Sequence, residues 1–393
     1  MTPATLFWLV TGSLMLQPLS TDLYLATLPG MAADFGATPL AVQHTLSMFV
    51  IGFGTAQLLS GPMSDRFGRR PVLIGGLTIY LLASLACVAS PTLAWLVMGR
   101  FAQAVGCCTA VVVARAIVRD EFPPAEGAHV LAKASSMLSL APLLGPVLGG
   151  YLQVAFGWRA AFVALSFAGF VVWLSALFQM RETNAVLNPE AVRAGNLARN
   201  YAAVLKSPGF WAYALPGALS YASIFVFISG TPFVLIKVLG VATEHYGYLF
   251  ALGVLGYLTG TLSCRRLLRT RGIHLTLRLG TAIGFVAGSG FLVLVAAGIH
   301  HWALVVGALF AVMTAHGINI PCTQAGSLAP FSENAGAAAG MFGFVMMAVA
   351  LLAGIWVSGS HDGTLYPLAY ISAVVSFLLF ASARLLARFD QAR

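Results

Sequence analysis

Ten residues, Gly61-Pro-Met-Ser-Asp-Arg-Phe-Gly-Arg-Arg70, carry four charges in a chain of which only 8% is charged. Apolar runs of about twenty residues flank them, Leu40 to Ser60 and Pro71 to Ser90, each long enough to cross a ~30 Å hydrocarbon layer as a helix. The stretch is therefore a short charged turn between two membrane spans. Lys and Arg in short loops stay on the cytoplasmic side, so Arg66, Arg69 and Arg70 also set the orientation of both spans.

The same reading extends along the chain. Apolar runs predict twelve spans, near residues 5–31, 40–60, 71–90, 93–118, 129–155, 159–180, 209–236, 245–264, 275–297, 301–326, 336–358 and 365–386. With 59% hydrophobic residues and a mean hydropathy of +0.88, the chain reads as an all-α integral membrane protein. Placing both termini in the cytoplasm leaves only Arg159 and Lys237 in outer loops and Arg100 within a span. That topology accounts for the net charge of +9 without nucleic acid, because the basic residues lie in loops and not on an amphipathic face. Glu182 to Ser207 is the longest polar stretch and divides the spans six and six. The expected organisation is a bundle over 1–182, a cytoplasmic linker over 183–207 and a second bundle over 208–393. An offset of about 199 residues sets Gly61 against Gly260 and the basic turn against Arg265, Arg266, Arg269 and Arg271, with Cys264 in the place of Asp65, a faint internal repeat. The five cysteines form neither a disulfide framework nor a metal-ligand spacing, so neither a metal nor another cofactor is expected. The N-terminus reads as a retained first helix.

The G-x-x-x-D-R-x-G-R-R pattern resembles the signature loop between helices 2 and 3 of the major facilitator superfamily. By that resemblance Gly61, Asp65, Arg66, Gly68, Arg69 and Arg70 form a conformational latch, with Asp65 near the N-terminal end of a helix in the other half. Arg100-Phe-Ala-Gln103-Ala-Val-Gly106 is similar to the family's R-x-x-Q-G-x-G element, departing at Ala104. Ala141-Pro-Leu-Leu-Gly-Pro-Val-Leu-Gly-Gly150 resembles the fifth-helix element of its antiporter branches, with Ala141 in place of the first glycine. Together with Asp22-Leu-Tyr-Leu-Ala-Thr-Leu-Pro29, Gly157-Trp-Arg-Ala-Ala-Phe162 and Pro321-Cys-Thr-Gln-Ala-Gly-Ser-Leu-Ala-Pro-Phe331, the set resembles the Bcr/CflA multidrug-resistance branch over essentially the whole chain. The resemblance implies two six-helix bundles in a bacterial inner membrane. It also implies export of phenicol-, bicyclomycin- or sulfonamide-like compounds in exchange for protons.

Of the twelve carboxylates, Asp22 is the one placed well inside a span, where an ionisable group is costly and usually functional. The alternative is a first helix that ends early, leaving Asp22 among the outer headgroups. Arg100 is the basic residue at comparable depth. Both fall roughly 6 to 8 Å outward of the midplane at about 1.5 Å per residue, so an Asp22–Arg100 pair is geometrically feasible, with Gln103 one turn further in. The alternative for Arg100 is snorkelling to the headgroups. Pro142, Gly145, Pro146, Gly149 and Gly150 make the fifth span close-packing, for gating or for packing alone. In the second half Glu244, Glu333, Asp362 and Asp390 all fall in loops, which assigns proton chemistry to the first half. Tyr221, Phe225 and Phe227 on span seven and His316, Asn319 and Gln324 on span ten offer aromatic and polar surface for a ligand, or lipid-facing rings and an interhelical hydrogen bond. The expected proton-coupling pair is Asp22 and Arg100. The expected substrate-binding set is Asp22, Tyr24, Arg100, Gln103, Tyr221, Phe225, His316 and Asn319.

No H-E-x-x-H, G-x-S-x-G or nucleotide loop is present, which argues against a membrane enzyme. Two similar halves without a filter-like loop argue against a channel. A proton-coupled importer or facilitator of a small metabolite is the competing transporter reading. The expected partners are a small-molecule substrate, protons and the lipid bilayer, with the chain acting as a monomer.

Overall fold

The computed structural model describes residues 3–138, 140–331 and 335–390, so Glu333 lies outside the described residues. Those residues form helices and turns with no strand among them. They separate into two compact units, Met1–Ala37 with His44–Asn200 and Thr38–Gln43 with Tyr201–Arg393.

The first unit contains α1 (Pro3–Asp22), a single 3₁₀ turn (Leu25–Thr27), α2 (Leu28–Asp34), most of α3 (Pro39–Phe67), α4 (Arg69–Val88), α5 (Leu93–Glu121), α6 (Pro124–Leu138), α7 (Leu140–Phe156), α8 (Arg159–Gln179) and most of α9 (Ala194–Leu205). The second contains α10 (Pro208–Pro232), a π-helical turn (Phe233–Val238), α11 (Thr243–Ala296), α12 (Trp302–Leu328), α13 (Ala335–Gly359) and α14 (Tyr366–Asp390). Helix starts follow local chemistry. Thr92 accepts from the Trp95 amide ahead of α5, and Ser207 accepts from the Phe210 amide with Pro208 at the first position of α10.

Nine helices among the described residues are long and apolar enough to cross a membrane. α11 is in fact two helices meeting at Gly272, and α1 with its 3₁₀ turn and α6 with α7 are interrupted segments, an arrangement consistent with twelve crossings. Three expectations need correction. The first span is not continuous over 5–31, because the helix ends at Asp22. The stretch 265–274 between spans eight and nine is helical apart from Gly272, which turns the chain alone with φ 71°.

The third correction concerns the repeat. Gly68 (φ 97°) turns the chain between α3 and α4 as Gly272 does between the halves of α11, and this left-handed backbone strains any other residue. From Gly68 to Gly272 the offset is 204, not 199, and it also maps Gly52 onto Gly256. A side chain at Gly52 would press on the Phe101 carbonyl, and one at Gly256 on the Phe310 carbonyl. Close backbone approach through small residues holds helices together where lipid offers no hydrophobic drive. In this register Asp65 corresponds to Arg269, so the second half has a cation where the first has its acid.

Candidate functional site

The centre of the first unit is the interruption of its first helix. The α-helical ladder closes last with the Leu23 N–H donating to the Leu19 carbonyl at 3.1 Å, and Tyr24 then leads into the 3₁₀ turn, where Thr27 Oγ1 donates to the Tyr24 carbonyl at 2.6 Å. A helix that stops inside a bundle leaves carbonyls to be satisfied by other groups. The Ser20 carbonyl is taken by Arg100, whose Nη2 donates to it at 2.9 Å across from α5. A guanidinium at a helix C-terminus also meets the negative end of the helix dipole.

Arg100 is fully buried. Its guanidinium carbon sits 4.3 Å from the ring centres of both Tyr24 and Phe49 and 5.7 Å from that of Phe162. Its Nη1 donates to Gln103 Oε1, Gln103 Nε2 donates to Ser84 Oγ at 2.7 Å, and Ser84 Oγ donates to the Tyr80 carbonyl at 2.7 Å. The Tyr80 hydroxyl and Ser20 Oγ share a 2.8 Å bond, which closes a ring of contacts across α1, α4 and α5. This arrangement corrects the expected Asp22–Arg100 ion pair. Among the described residues no ion pair within 4.0 Å involves either side chain. Tyr24, Arg100 and Gln103 are sealed inside the unit and hold the helix break in place, so in this structure they face no cavity for substrate. Ser20, Phe49, Tyr80 and Ser84 went unnoticed in the sequence, and Phe162 stood there only within a motif, because none is charged and each resembles an ordinary span residue.

Asp22 is the last residue of α1 and only 5% exposed. Thr21 Oγ1 lies 3.1 Å from its Oδ1. The second oxygen, Oδ2, accepts no hydrogen bond and is not among the sealed polar atoms, so the carboxyl keeps one open side. Two glycines of α7 press against the same break. A methyl at Gly145 would sit 3.3 Å from Asp22 Cβ and from the Leu23 amide, whereas one at Gly149 would overlap the Leu23 carbonyl outright. The antiporter-like helix therefore packs directly on the carboxyl-bearing break. Gly149→Ala is expected to reduce transport at least tenfold with normal membrane insertion, and Gly145→Ala less than about threefold, since only the first forces backbone to move. Initial export rates of the two variants, normalised to protein in the membrane, check the order. Pro146 and Gly150 are buried in the same helix, and Pro142 lies in its first turn.

At the charged turn, Arg69 Nη1 bonds Asp65 Oδ1 and Ser64 Oγ, both at 2.6 Å, and its Nε bonds Asp120 Oδ2 at 2.8 Å. Asp65 is thus held within its own unit, at the end of α3. Glu182, not anticipated, caps α4. Its two oxygens accept the Arg69 and Arg70 amides at 2.8 and 3.0 Å, and a side chain at Gly68 would run into them. Partial burial opposes ionisation of Glu182, but backbone N–H donors from Asn184, Arg69, Arg70 and Thr183 outweigh it and hold the carboxyl below its ordinary range. The cap is therefore in force above the ordinary carboxylate range and is lost only as the pH falls through the depressed value. Arg70 reaches the Met180 carbonyl with Nε at 2.9 Å and the Leu177 carbonyl with Nη2 at 3.1 Å, anchoring the end of α8. Arg66 stacks on Phe67 at 5.1 Å, and Gly61 packs loosely beside Val112.

In the second unit His316 on α12 is buried, with Nδ1 3.1 Å from Ser220 Oγ of α10. Asn319 Nδ2 donates to the same hydroxyl at 3.4 Å, and the rings of Tyr221 and Tyr257 flank the imidazole at 6.0 and 5.9 Å. Phe225 stacks beyond Tyr221 at 6.3 Å and is itself buried against Gly354. The sequence therefore grouped Tyr221, Phe225, His316 and Asn319 as the structure does, while Ser220 and Tyr257 were missed. Elsewhere a cavity of about 580 Å³ opens between α3, α4 and α5, lined by Leu59, Met63, Phe67, Ile79, Phe101 and Val105 among others, and holds none of the polar groups described here.

Helices long and apolar enough to cross a membrane, with a carboxyl buried where one helix breaks, fit the architecture of a membrane transporter. The chain belongs to the Major Facilitator Superfamily, whose family profile matches residues 10–355. It is 28% identical over 399 residues to a bicyclomycin resistance protein homolog of Haemophilus influenzae, covering 98% of both chains. It is 32% identical over 238 residues to the multidrug resistance protein MdtL of Escherichia coli, covering 61% of this chain and 60% of that one. Among solved structures, the human organic anion transporter MFSD10 matches with a TM-score of 0.73 at 18% identity, covering 98% of this chain and all of the other, which speaks for the fold.

Proposed function

We propose that the protein is a proton-coupled antiporter that exports small amphipathic compounds, of phenicol, bicyclomycin or sulfonamide type, by alternating access. The observation that carries this reading is Asp22, a carboxyl at a broken helix with no ion-pair partner within 4.0 Å among the described residues, one open oxygen and two glycines of the antiporter-like helix against its backbone. An ionised carboxylate in such surroundings is costly unless something compensates it. A proton does so in one state, and the dipole or charge of a substrate does so in the other. The two ligands then exclude each other, which is the requirement of exchange, and the linkage is reciprocal. The resistance-named relatives support drug-like cargo.

Asp65, Arg66, Arg69 and Arg70 act on the balance between open states, and Gly61 and Gly68 shape the turn that carries them. The arginine distribution supports a bacterial inner-membrane location with both termini in the cytoplasm. Reconstituted vesicles with an imposed proton gradient test the proposal. Chloramphenicol, bicyclomycin or a sulfonamide is expected to dissipate the gradient, and Asp65→Asn is expected to slow this without changing equilibrium substrate affinity. A gradient untouched by every member of the panel would overturn the exporter reading.

A further inference from the structure

The hydrogen bonds around His316 run in one direction and stop at an open nitrogen. Ser220 has a single hydroxyl proton, and its oxygen accepts from Asn319 Nδ2. The partner left for that proton is His316 Nδ1 at 3.1 Å. A ring nitrogen that accepts carries no hydrogen in the neutral imidazole, so the hydrogen resides on Nε2. The reverse direction requires the Asn319 amide to be turned over. Its N–H groups would then lie against Gly280, where Oδ1 now sits buried and without a partner. Orphaned buried N–H groups are rarer than under-satisfied carbonyl oxygens, which favours the orientation observed.

Nε2 is not among the sealed polar atoms, and Ser220, through its hydroxyl at Nδ1 and its backbone carbonyl near the ring, is the hydrogen-bonding neighbour of the imidazole. The imidazole has Tyr221 of α10 and Tyr257 of α11 beside it, both half-buried, with their rings tilted 46° and 37° to it. These tyrosines are the titratable groups that face it, and α10, α12 and α13 contain no Asp, Glu, Lys or Arg. A donor of fixed direction between two aromatic faces matches a flat ligand with an acceptor at its edge.

We propose that His316 Nε2–H, with the faces of Tyr221 and Tyr257, forms a subsite for a planar ring bearing a nitro, sulfonyl or carbonyl oxygen, and that Ser220 and Asn319 are positioning residues that fix the tautomer. The proposal rests on the transporter reading above and narrows its substrate class.

Nitrogen-15 histidine labelling of the whole protein in nanodiscs tests it, with the His316 signals assigned by their loss in His316→Gln. The ligand-free protein is expected to show Nδ1 as an acceptor and Nε2 as the protonated nitrogen. Chloramphenicol or a sulfonamide is expected to move the Nε2 resonance, and the des-nitro analogue of chloramphenicol is not. Ser220→Ala is expected to give a mixture of tautomers and to weaken affinity about tenfold, the worth of one well-placed hydrogen bond. A proton on Nδ1 in the ligand-free protein, an Nε2 signal unmoved by every acceptor-bearing probe, or equal shifts from the des-nitro analogue would each overturn the assignment. Failure of the exporter reading appears separately, as absent uphill flux with the Nε2 shift intact.

Discussion

Asp22→Asn is expected to abolish the proposed proton-driven export while leaving the protein inserted and able to exchange substrate downhill. Asparagine is nearly isosteric and still accepts from Thr21, so the broken helix and its contacts with Gly145 and Gly149 survive. What disappears is the carboxyl at the break, the group there that can take up and release a proton in the ordinary pH range. Uphill accumulation in energised vesicles is expected to fall to the level of empty vesicles, whereas substrate counterflow without a gradient stays within about threefold of the unsubstituted protein, because alternating access itself needs no titration. Substrate affinity of the unsubstituted protein is expected to fall with decreasing pH, and that dependence is expected to flatten in the variant. Undiminished uphill export by Asp22→Asn ends the assignment of Asp22 as the coupling group.

Arg100→Ala acts on folding before it acts on transport. The substitution leaves the Ser20 carbonyl and Gln103 Oε1 without their donor and empties a space walled by Tyr24, Phe49 and Phe162. Two orphaned acceptors and a lost cation–π cluster together cost about 3 kcal/mol or more. Thermal unfolding in detergent is expected to show a large drop, and Arg100→Lys to recover only part of it, since an ammonium offers no planar group to lie between rings. An ion pair with Asp22 makes the opposite forecast, in which removing both charges restores stability. The cage forecasts that Asp22→Asn with Arg100→Ala is as unstable as Arg100→Ala alone, with a coupling below about 0.5 kcal/mol. Restored stability in the double variant would reinstate the pair.

Both forecasts show where sequence reading reached its limit. Asp22 and Arg100 were found because a charge in an apolar run is conspicuous whatever surrounds it. Equal depth made them look like partners, but depth is one coordinate and an ion pair needs all three. An early end of the first helix stood only as the alternative, because Leu23 to Leu28 are as apolar as any continuous span and the guanidinium that takes the Ser20 carbonyl lies on α5, eighty residues away. In the same way, Glu182 reads as the first residue of a polar linker until its carboxylate is found on the amides of α4.

Apolar run length, the charged turns and the glycine and proline spacings determine by themselves the membrane class, the helix pairs, the two-part organisation and the family, because each rests on local properties: hydration of the backbone, charge across a bilayer and the freedom of φ at Gly68 and Gly272. The tertiary structure alone decided which buried polar groups meet. The destination of the Arg100 guanidinium, the open side of the Asp22 carboxyl and the hydrogen-bond direction from Asn319 through Ser220 to His316 depend on how separate helices rotate about their axes. That rotation is set by close contacts such as Gly149 on Leu23 and Gly280 on Asn319, which are pairings between distant residues that no single stretch of sequence records.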